Sequence, residues 1–359
     1  MNLLDDVSVV SQTKRLDRDD MLSRIVDLPN QCRDAWQLAQ DLELAKTLRH
    51  VRQVVIVGMG GSAIGGDLVA GLVAEVCPVP VLTIRGYELP AYVDAHTLVI
   101  GSSYSGNTEE TLAAIEEAWA QDALVLAITT GGKLESWARE RDLPALVYTY
   151  RAQPRAALGY SLCALLGLLD RLGLVQDQRA ILDEAIETMQ QAGQGWRVEQ
   201  VVAENQAKQI AGRLYGKVAV VYGAGHLAAV ARRWKTQINE NSKGWAFWEE
   251  LPELNHNAVV GYEKPTEIGA QTHVVMLNSD LNHPRVRRRA EITGELLSQA
   301  AVSWEGVSAP GNSLLAQLLS TIHLGDYVSF YLGMLNGVDP TPVEPIARLK
   351  AALQREGAG

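Results

Sequence analysis

Two short runs, VVIVGMGGS at 54–62 and VAVVYGAGH at 218–226, carry β-branched residues straight into a glycine turn. A continuous apolar run that ends in glycine reads as a strand buried on both faces, as in a parallel sheet covered by helices. Around each run the pattern alternates. After the first come a helical stretch at 64–76, VPVLTI and HTLVIGSS as strands, a helix at 108–120, the strand ALVLAITT, a helix at 134–141 and the strand ALVYTY. Five strands with interleaved helices predict a doubly wound, parallel α/β sheet of the flavodoxin-like type. After the second run come a helix at 227–238, a Trp-rich segment, the strand THVVMLN, a helix at 285–297, the strand AVSWEGV and long helices to the end. The α/β pattern thus occurs twice, and two tandem modules fit the domain count expected of 359 residues. We divide the chain into 1–152, a helical lead-in (20–49) plus the first module, and 153–359. The second part holds linker helices at 157–172 and 177–211, the second module and C-terminal helices.

Composition narrows the partners. Acidic residues outnumber basic ones 42 to 32, a net charge of −10, which argues against a dedicated nucleic-acid binder. Cys32, Cys77 and Cys163 are scattered and odd in number, which suits a reducing cytosol rather than a disulfide scaffold. The start, MNLLDDVSVV, has no basic lead into an apolar run, so no secretory signal is expected. No apolar stretch approaches the roughly 18 residues of a membrane span. The expectation is a cytoplasmic protein with neither nucleic-acid nor membrane partners.

The two glycine turns of the first module differ in what they can hold. Gly58-Met59-Gly60-Gly61-Ser62-Ala63 satisfies the Gly-x-Gly-x-x-Ala form of a dinucleotide site. Such a site wants an acid at the end of the second strand. Here Arg85 follows VPVLTI, with Glu88 three residues on. Arg85 suits a 2′-phosphate, so an NADP-dependent oxidoreductase is one rival reading. The second turn, Ser103-Tyr104-Ser105-Gly106-Asn107-Thr108, gathers three hydroxyls and several backbone N–H groups at a helix start. A phosphate can be held there by amides and the helix dipole without Lys or Arg. The alternative is plain N-capping by Ser105 or Thr108. The hydroxyls of Ser103, Ser105 and Thr108, with Gly60, Gly61 and Ser62 one strand earlier, favour the phosphate site.

Ser-x-Ser-Gly-x-Thr after a strand, with Gly-Gly-Ser one strand earlier, resembles the sugar isomerase (SIS) fold, whose modules bind phosphosugars by this loop. The stretches QPRAALGYSL, Asn239-Glu240-Asn241-Ser242-Lys243 and Pro252-Glu253-Leu254-Asn255-His256-Asn257 resemble the bifunctional phosphoglucose/phosphomannose isomerases over about residues 20–355. The resemblance implies hexose 6-phosphate substrates. Glucose 6-phosphate, and with it mannose 6-phosphate, would interconvert with fructose 6-phosphate through a cis-enediolate, with no redox cofactor or metal required. A non-catalytic phosphosugar sensor is a further rival, but the residues before the first strand show no DNA-binding pattern.

The chemistry needs a carboxylate base, an acid/base for the ring oxygen and a cation near the enediolate. Glu240, after the helix AAVARRWKTQIN and between two asparagines that could orient it, is the base candidate. Its plain alternative is a helix-end glutamate paired with Lys243; Glu249, Glu250 and Glu253 are rivals. The resemblance implies that Glu240 moves the proton from C2 to C1. It also implies that His256 opens the ring, reaching the site from the neighbouring subunit of a homodimer with a composite active site. An imidazole suits that exchange; the plain alternative is an exposed histidine. His226 reads as a helix-start residue. Arg155 is expected beside the enediolate, against the alternative of an exposed first-turn arginine. The resemblance brings Lys350 near the sugar and links Thr341 to mannose acceptance; a helix-end lysine is an equal alternative for Lys350. Trp234, Trp245, Phe247 and Trp248 read as core or interface, with sugar stacking as the other option. Lys133 lacks the following Ser/Thr of a Walker loop. The run Arg285, Arg287, Arg288, Arg289 reads as a solvated helix face, with an anion site second.

Overall fold

In the computed structural model, residues 4, 13–45, 48, 50–176 and 178–356 are described. The helix expected at 20–49 is two helices, α1 (Met21–Val26) and α2 (Leu28–Asp41). Pro29 is the reason: it has no N–H to extend α1 but is well placed in the first turn of α2. Leu42 and Leu44 lie beyond α2 and pack at the rim of the core.

Strand β1 (Gln53–Val57) buries Val54 through Val57 in sequence, as its apolar run requires. After α3 (Gly60–Val73) come β2 (Val81–Ile84), β3 (Thr97–Ser103), α4 (Glu109–Ala120), β4 (Leu124–Thr129), α5 (Gly132–Glu140) and β5 (Ala145–Val147). These strands form one parallel sheet in the order β2-β1-β3-β4-β5. Helices α6 (Leu158–Arg171), α7 (Gln178–Gln194) and α8 (Gln206–Leu214) then lead to β6 (Val218–Ala224).

The second module adds α9 (Ala228–Asn241), β7 (Ala246–Leu251), α10 (Thr266–Ala270), β8 (Thr272–Asn278), α11 (Pro284–Gln299) and β9 (Ser303–Ser308). Its sheet is parallel, in the order β7-β6-β8-β9. The strand β7 replaces what the sequence offered only as a Trp-rich segment. It is an edge strand that buries just Ala246 and Leu251, so it carries no apolar run to betray it. Helix α9 begins after a short turn (Gly225–Leu227) and runs to Asn241, so Glu240 stands in its last turn rather than after it.

The two sheets share one core. Val54 and Ile56 of the first sheet and Val221 and Val275 of the second belong to a single apolar cluster. It is bridged by α6, buried from Leu158 to Leu169, and by α12 (Leu314–Leu335), buried from Leu315 to Met334. Helix α12 lies so close to α9 that a Cβ on Gly325 would come within 2.2 Å of the Trp234 indole nitrogen. Trp234 is therefore a core residue, and its indole N–H donates to Thr321 O at 2.8 Å. Among the described residues no helix is long and apolar enough to cross a membrane. The last helix, α13 (Glu344–Glu356), stands outside this packing, with Ile346, Leu349 and Leu353 exposed.

His323 of α12 is fully buried against α1, its Nε2 3.0 Å from Ile25 O, and burial pushes its imidazole down to about 4. The folded state therefore binds fewer protons than the unfolded chain between pH ~6.5 and that lower value. Its contribution is complete above the unfolded pKa and is lost as pH falls towards the folded one. Urea unfolding of the wild type and of His323→Gln should diverge in pH dependence by on the order of 3 kcal/mol across that window. Parallel pH profiles would contradict a neutral buried imidazole.

Candidate functional site

The first sheet reverses winding between β1 and β3, and ligands of doubly wound sheets sit outside the strand ends at such a point. Both loops described by the sequence emerge there. Gly60 opens α3 at φ 53°, a conformation glycine adopts without strain. Gly106 has φ 64°, and a Cβ there would strike the Gly131 carbonyl. The loops are tied together by Tyr104 N donating to Ser62 Oγ at 3.2 Å.

Simple N-capping does not account for the hydroxyls. Neither Met59, before α3, nor Thr108, before α4, makes a side-chain cap. Thr108 Oγ1 instead lies 2.9 Å from Ser103 Oγ, and Ser105 Oγ accepts from Asn107 N at 3.2 Å within its own turn. Two helix N-termini thus converge on one crevice with their first turns uncapped by side chains. Gly60, Gly61, Ser62, Ser103, Ser105 and Thr108 are all brought to it, an arrangement suited to a dianion.

Gly61 also fixes what lies alongside. A Cβ there would come within 3.1 Å of Pro154 C, Pro154 O and Arg155 N. The turn Pro154–Ala157 therefore abuts the glycine turn, and its Arg155 side chain is 2% exposed rather than solvated. Its guanidinium is held on several sides. Nε donates to Asn241 Oδ1 at 2.7 Å, Nη1 to Glu240 Oε2 at 3.2 Å, and Nη2 to Pro340 O at 2.7 Å and Thr341 O at 3.0 Å. Burial lowers the Arg155 pKa, and the Glu240 carboxylate works against that shift. Glu240 is itself 28% exposed, so this carboxylate keeps an open side.

The asparagines do not orient Glu240 directly. Asn239 donates to Gly244 O at 2.8 Å, and Asn241 holds Arg155 while donating to Ser329 Oγ at 3.0 Å. A second layer backs the arginine: Arg233 donates to Arg155 O at 2.8 Å and pairs with Asp326 at 3.1 Å. Lys243 is a contributor that spacing alone misassigns. It does not pair with the Glu240 carboxylate; its Nζ donates to Glu240 O at 2.5 Å and Pro340 O at 3.0 Å. Burial, and then the nearby Arg155 charge, push its ammonium down to about 8. No side-chain spacing in the sequence points to those backbone carbonyls.

Other candidates fall elsewhere within the chain. His256 is exposed on the turn Glu253–His256, which is anchored to α11 by Asn255 Nδ2 donating to Thr293 Oγ1 at 2.8 Å. Among the described residues it makes no hydrogen bond or ion pair with Glu240 or Arg155. Lys350 is exposed on α13 and likewise makes no hydrogen bond or ion pair with Glu240 or Arg155 among the described residues. Thr341 is buried beside Arg155, and its hydroxyl has no hydrogen-bond partner. Arg85 is not free for a 2′-phosphate: it pairs with Asp67 at 2.5 Å, and Arg232 of α9 pairs with the same carboxylate at 2.9 Å. A half-open carboxylate beside a buried guanidinium, next to a dianion crevice, is suited to taking a proton from carbon and stabilising the resulting oxyanion.

Known proteins resemble this chain over most of its length. Residues 47–156 match the family model described as SIS domain, and residues 203–353 that of the bacterial phospho-glucose isomerase C-terminal SIS domain. A bifunctional phosphoglucose/phosphomannose isomerase of Caldicellulosiruptor bescii is 41% identical over 334 residues, 93% of this chain and 98% of the relative. One of Aquifex aeolicus is 38% identical, covering 87% of this chain and 94% of the relative. Among solved structures, the fold resembles tagatose-6-phosphate ketose/aldose isomerase from Escherichia coli, with a TM-score of 0.67 and 17% identity over 96% of this chain and 98% of that one.

Replacing Arg155 by Met should strand the Thr341 carbonyl and the Asn241 Oδ1, while Lys243 still donates to Pro340 O, costing about 3 kcal/mol in urea unfolding. Faster exchange of the Thr341 and Val343 amides should accompany it. Unchanged stability would mean that the guanidinium does not organise this corner.

Proposed function

Because the chain belongs to the bifunctional phosphoglucose/phosphomannose isomerase family, we propose that it interconverts glucose 6-phosphate and mannose 6-phosphate with fructose 6-phosphate. The observation that carries the residue assignment is the Arg155–Glu240 pair, whose arginine backbone abuts the glycine turn of the phosphate crevice. In this reading the amides and hydroxyls of Gly60, Gly61, Ser62, Ser103, Ser105 and Thr108 hold the 6-phosphate. That fixes the sugar with its reacting carbons towards Glu240.

Ring opening comes first and needs a proton exchanged at the ring oxygen. His256 of a second subunit is assigned to that step, since within one chain it makes no hydrogen bond or ion pair with Glu240 among the described residues. A homodimer with a composite site is therefore part of the proposal. Trp245 and Phe247, 72% and 45% exposed and in tilted ring contact at 5.2 Å, support an apolar contact surface near this module. Glu240 then takes the C2 proton and returns it to C1. As negative charge builds on the enediolate oxygens, the Arg155 field stabilises it; four of the five guanidinium N–H donors are already engaged, so the arginine cannot swing away. Lys350 is assigned a supporting place at the sugar.

Glucose and mannose differ at C2, and the planar enediolate erases that difference. Accepting both requires tolerance around the C2 hydroxyl, and the unpartnered Thr341 hydroxyl is our candidate for it. We keep the division at residue 152, with the site drawn from both parts, and infer a cytoplasmic enzyme without nucleic-acid or membrane partners.

Glu240→Gln keeps the shape and hydrogen-bonding reach of the side chain but removes the base, and should lower kcat by about three orders of magnitude with little change in KM. Near-normal turnover would overturn the assignment. Mixing inactive Glu240→Gln and His256→Ala proteins should regenerate activity, because heterodimers carry one intact composite site. No recovery after verified subunit exchange would contradict the shared site.

A further inference from the structure

The duplicated topology places a second winding reversal in the chain, between β6 and β8. The first such point holds the phosphate crevice, and the catalytic reading makes no use of the second. It is open: a cavity of about 580 Å³ lies between the C-terminal ends of β6 to β9 and the first turns of α11. That volume is within the range of small-ligand sites.

Its lining differs from that of the first crevice. The inner wall is apolar, with Met276, Ala290 and Trp304, while Asn278, Asp280 and Arg287 contribute polar groups. No hydroxyl loop faces it. The start of α11 is already capped, with His283 Nδ1 accepting from Arg285 N at 3.1 Å, and Ser279 donates to Gln317 at 2.5 Å. An anion here would rely on a side chain. Within the basic run of α11, Arg288 pairs with Glu291 at 2.7 Å and Arg289 donates to Asn255 at 3.3 Å. The Arg287 side chain has no hydrogen bond or ion pair among the described residues. Asp280 Oδ1 is held by Gln317 Nε2 at 2.6 Å, and its Oδ2 has no hydrogen-bond partner among the described residues.

We propose that this crevice binds a nucleoside monophosphate at a site separate from the catalytic one. The apolar wall takes the planar base against Trp304. The free oxygen of the Asp280 carboxylate accepts from the ribose hydroxyls. Arg287 meets the single phosphate. Asp280 and Glu291 line the same cavity, so additional phosphates are disfavoured.

Calorimetric titration of the full-length protein with AMP, adenosine, ATP and inorganic phosphate tests this. AMP should bind saturably and more tightly than adenosine or ATP, and excess fructose 6-phosphate should not displace it. Arg287→Glu should weaken AMP about tenfold or more, as expected for reversing a charge-assisted contact, with isomerase turnover unchanged. Ser308→Trp, which fills the cavity from β9, should also abolish AMP binding. The proposal is overturned if neither AMP nor adenosine binds, if fructose 6-phosphate displaces AMP, or if both variants bind AMP like the wild type. Loss of isomerase activity in the wild type would instead bear on the catalytic reading, which this titration does not use.

Discussion

A guanidinium taken out of water must be surrounded by acceptors, and Arg155 finds them on segments far apart in sequence. Glu240 and Asn241 come from the last turn of α9, Pro340 and Thr341 from the chain after α12, while the arginine itself starts from a turn pressed on Gly61. A buried cation left with an empty position is costly, so these segments are held in register with one another. The register carries chemistry. It sets the Glu240 carboxylate at a fixed distance from the loops of the first module, with one side open to solvent. Behind it the Arg233–Asp326 pair holds the Arg155 carbonyl, and Lys243 ties the Glu240 and Pro340 carbonyls together.

The same economy explains how a chain with a net charge of −10 can favour a dianionic ligand. The crevice proposed for phosphate is built from no lysine or arginine side chain. Backbone amides at two uncapped helix starts, with nearby hydroxyls, supply the positive potential locally, within the first turn of each helix. The long-range charge of the protein excludes little at that distance. In the proposed mechanism the arginine is reserved for the place where charge appears during the reaction.

Much of the fold was legible because buried parallel strands announce themselves: β1, β3, β4, β6 and β8 are all apolar runs. The edge strand β7 was not, since AFWEEL buries only its two ends and reads as surface. The pairing of the two glycine loops was legible for a related reason, as local turns of glycine and hydroxyl residues are marked within a few positions. Arg155 and Glu240 could be named from motifs, but 85 residues separate them, and no local pattern announces an ion pair between them. Nor could spacing show that Lys243 bonds backbone carbonyls or that Arg85 is paired with Asp67. These are outcomes of tertiary packing. The dinucleotide reading of the first glycine turn failed at Arg85, the residue it most needed free.

The account rests on Glu240 carrying a proton between adjacent carbons, and isotope exchange tests that directly. Each hexose 6-phosphate is converted in D₂O by the wild type and by Glu240→Gln, and deuterium at C1 and C2 is followed by NMR. A single shared base that exchanges with solvent predicts deuterium at the transferred position in the wild-type product. It also predicts that exchange and turnover fall together in the variant. Deuterium entering the variant's substrate at the wild-type rate would place the base elsewhere and contradict the central claim.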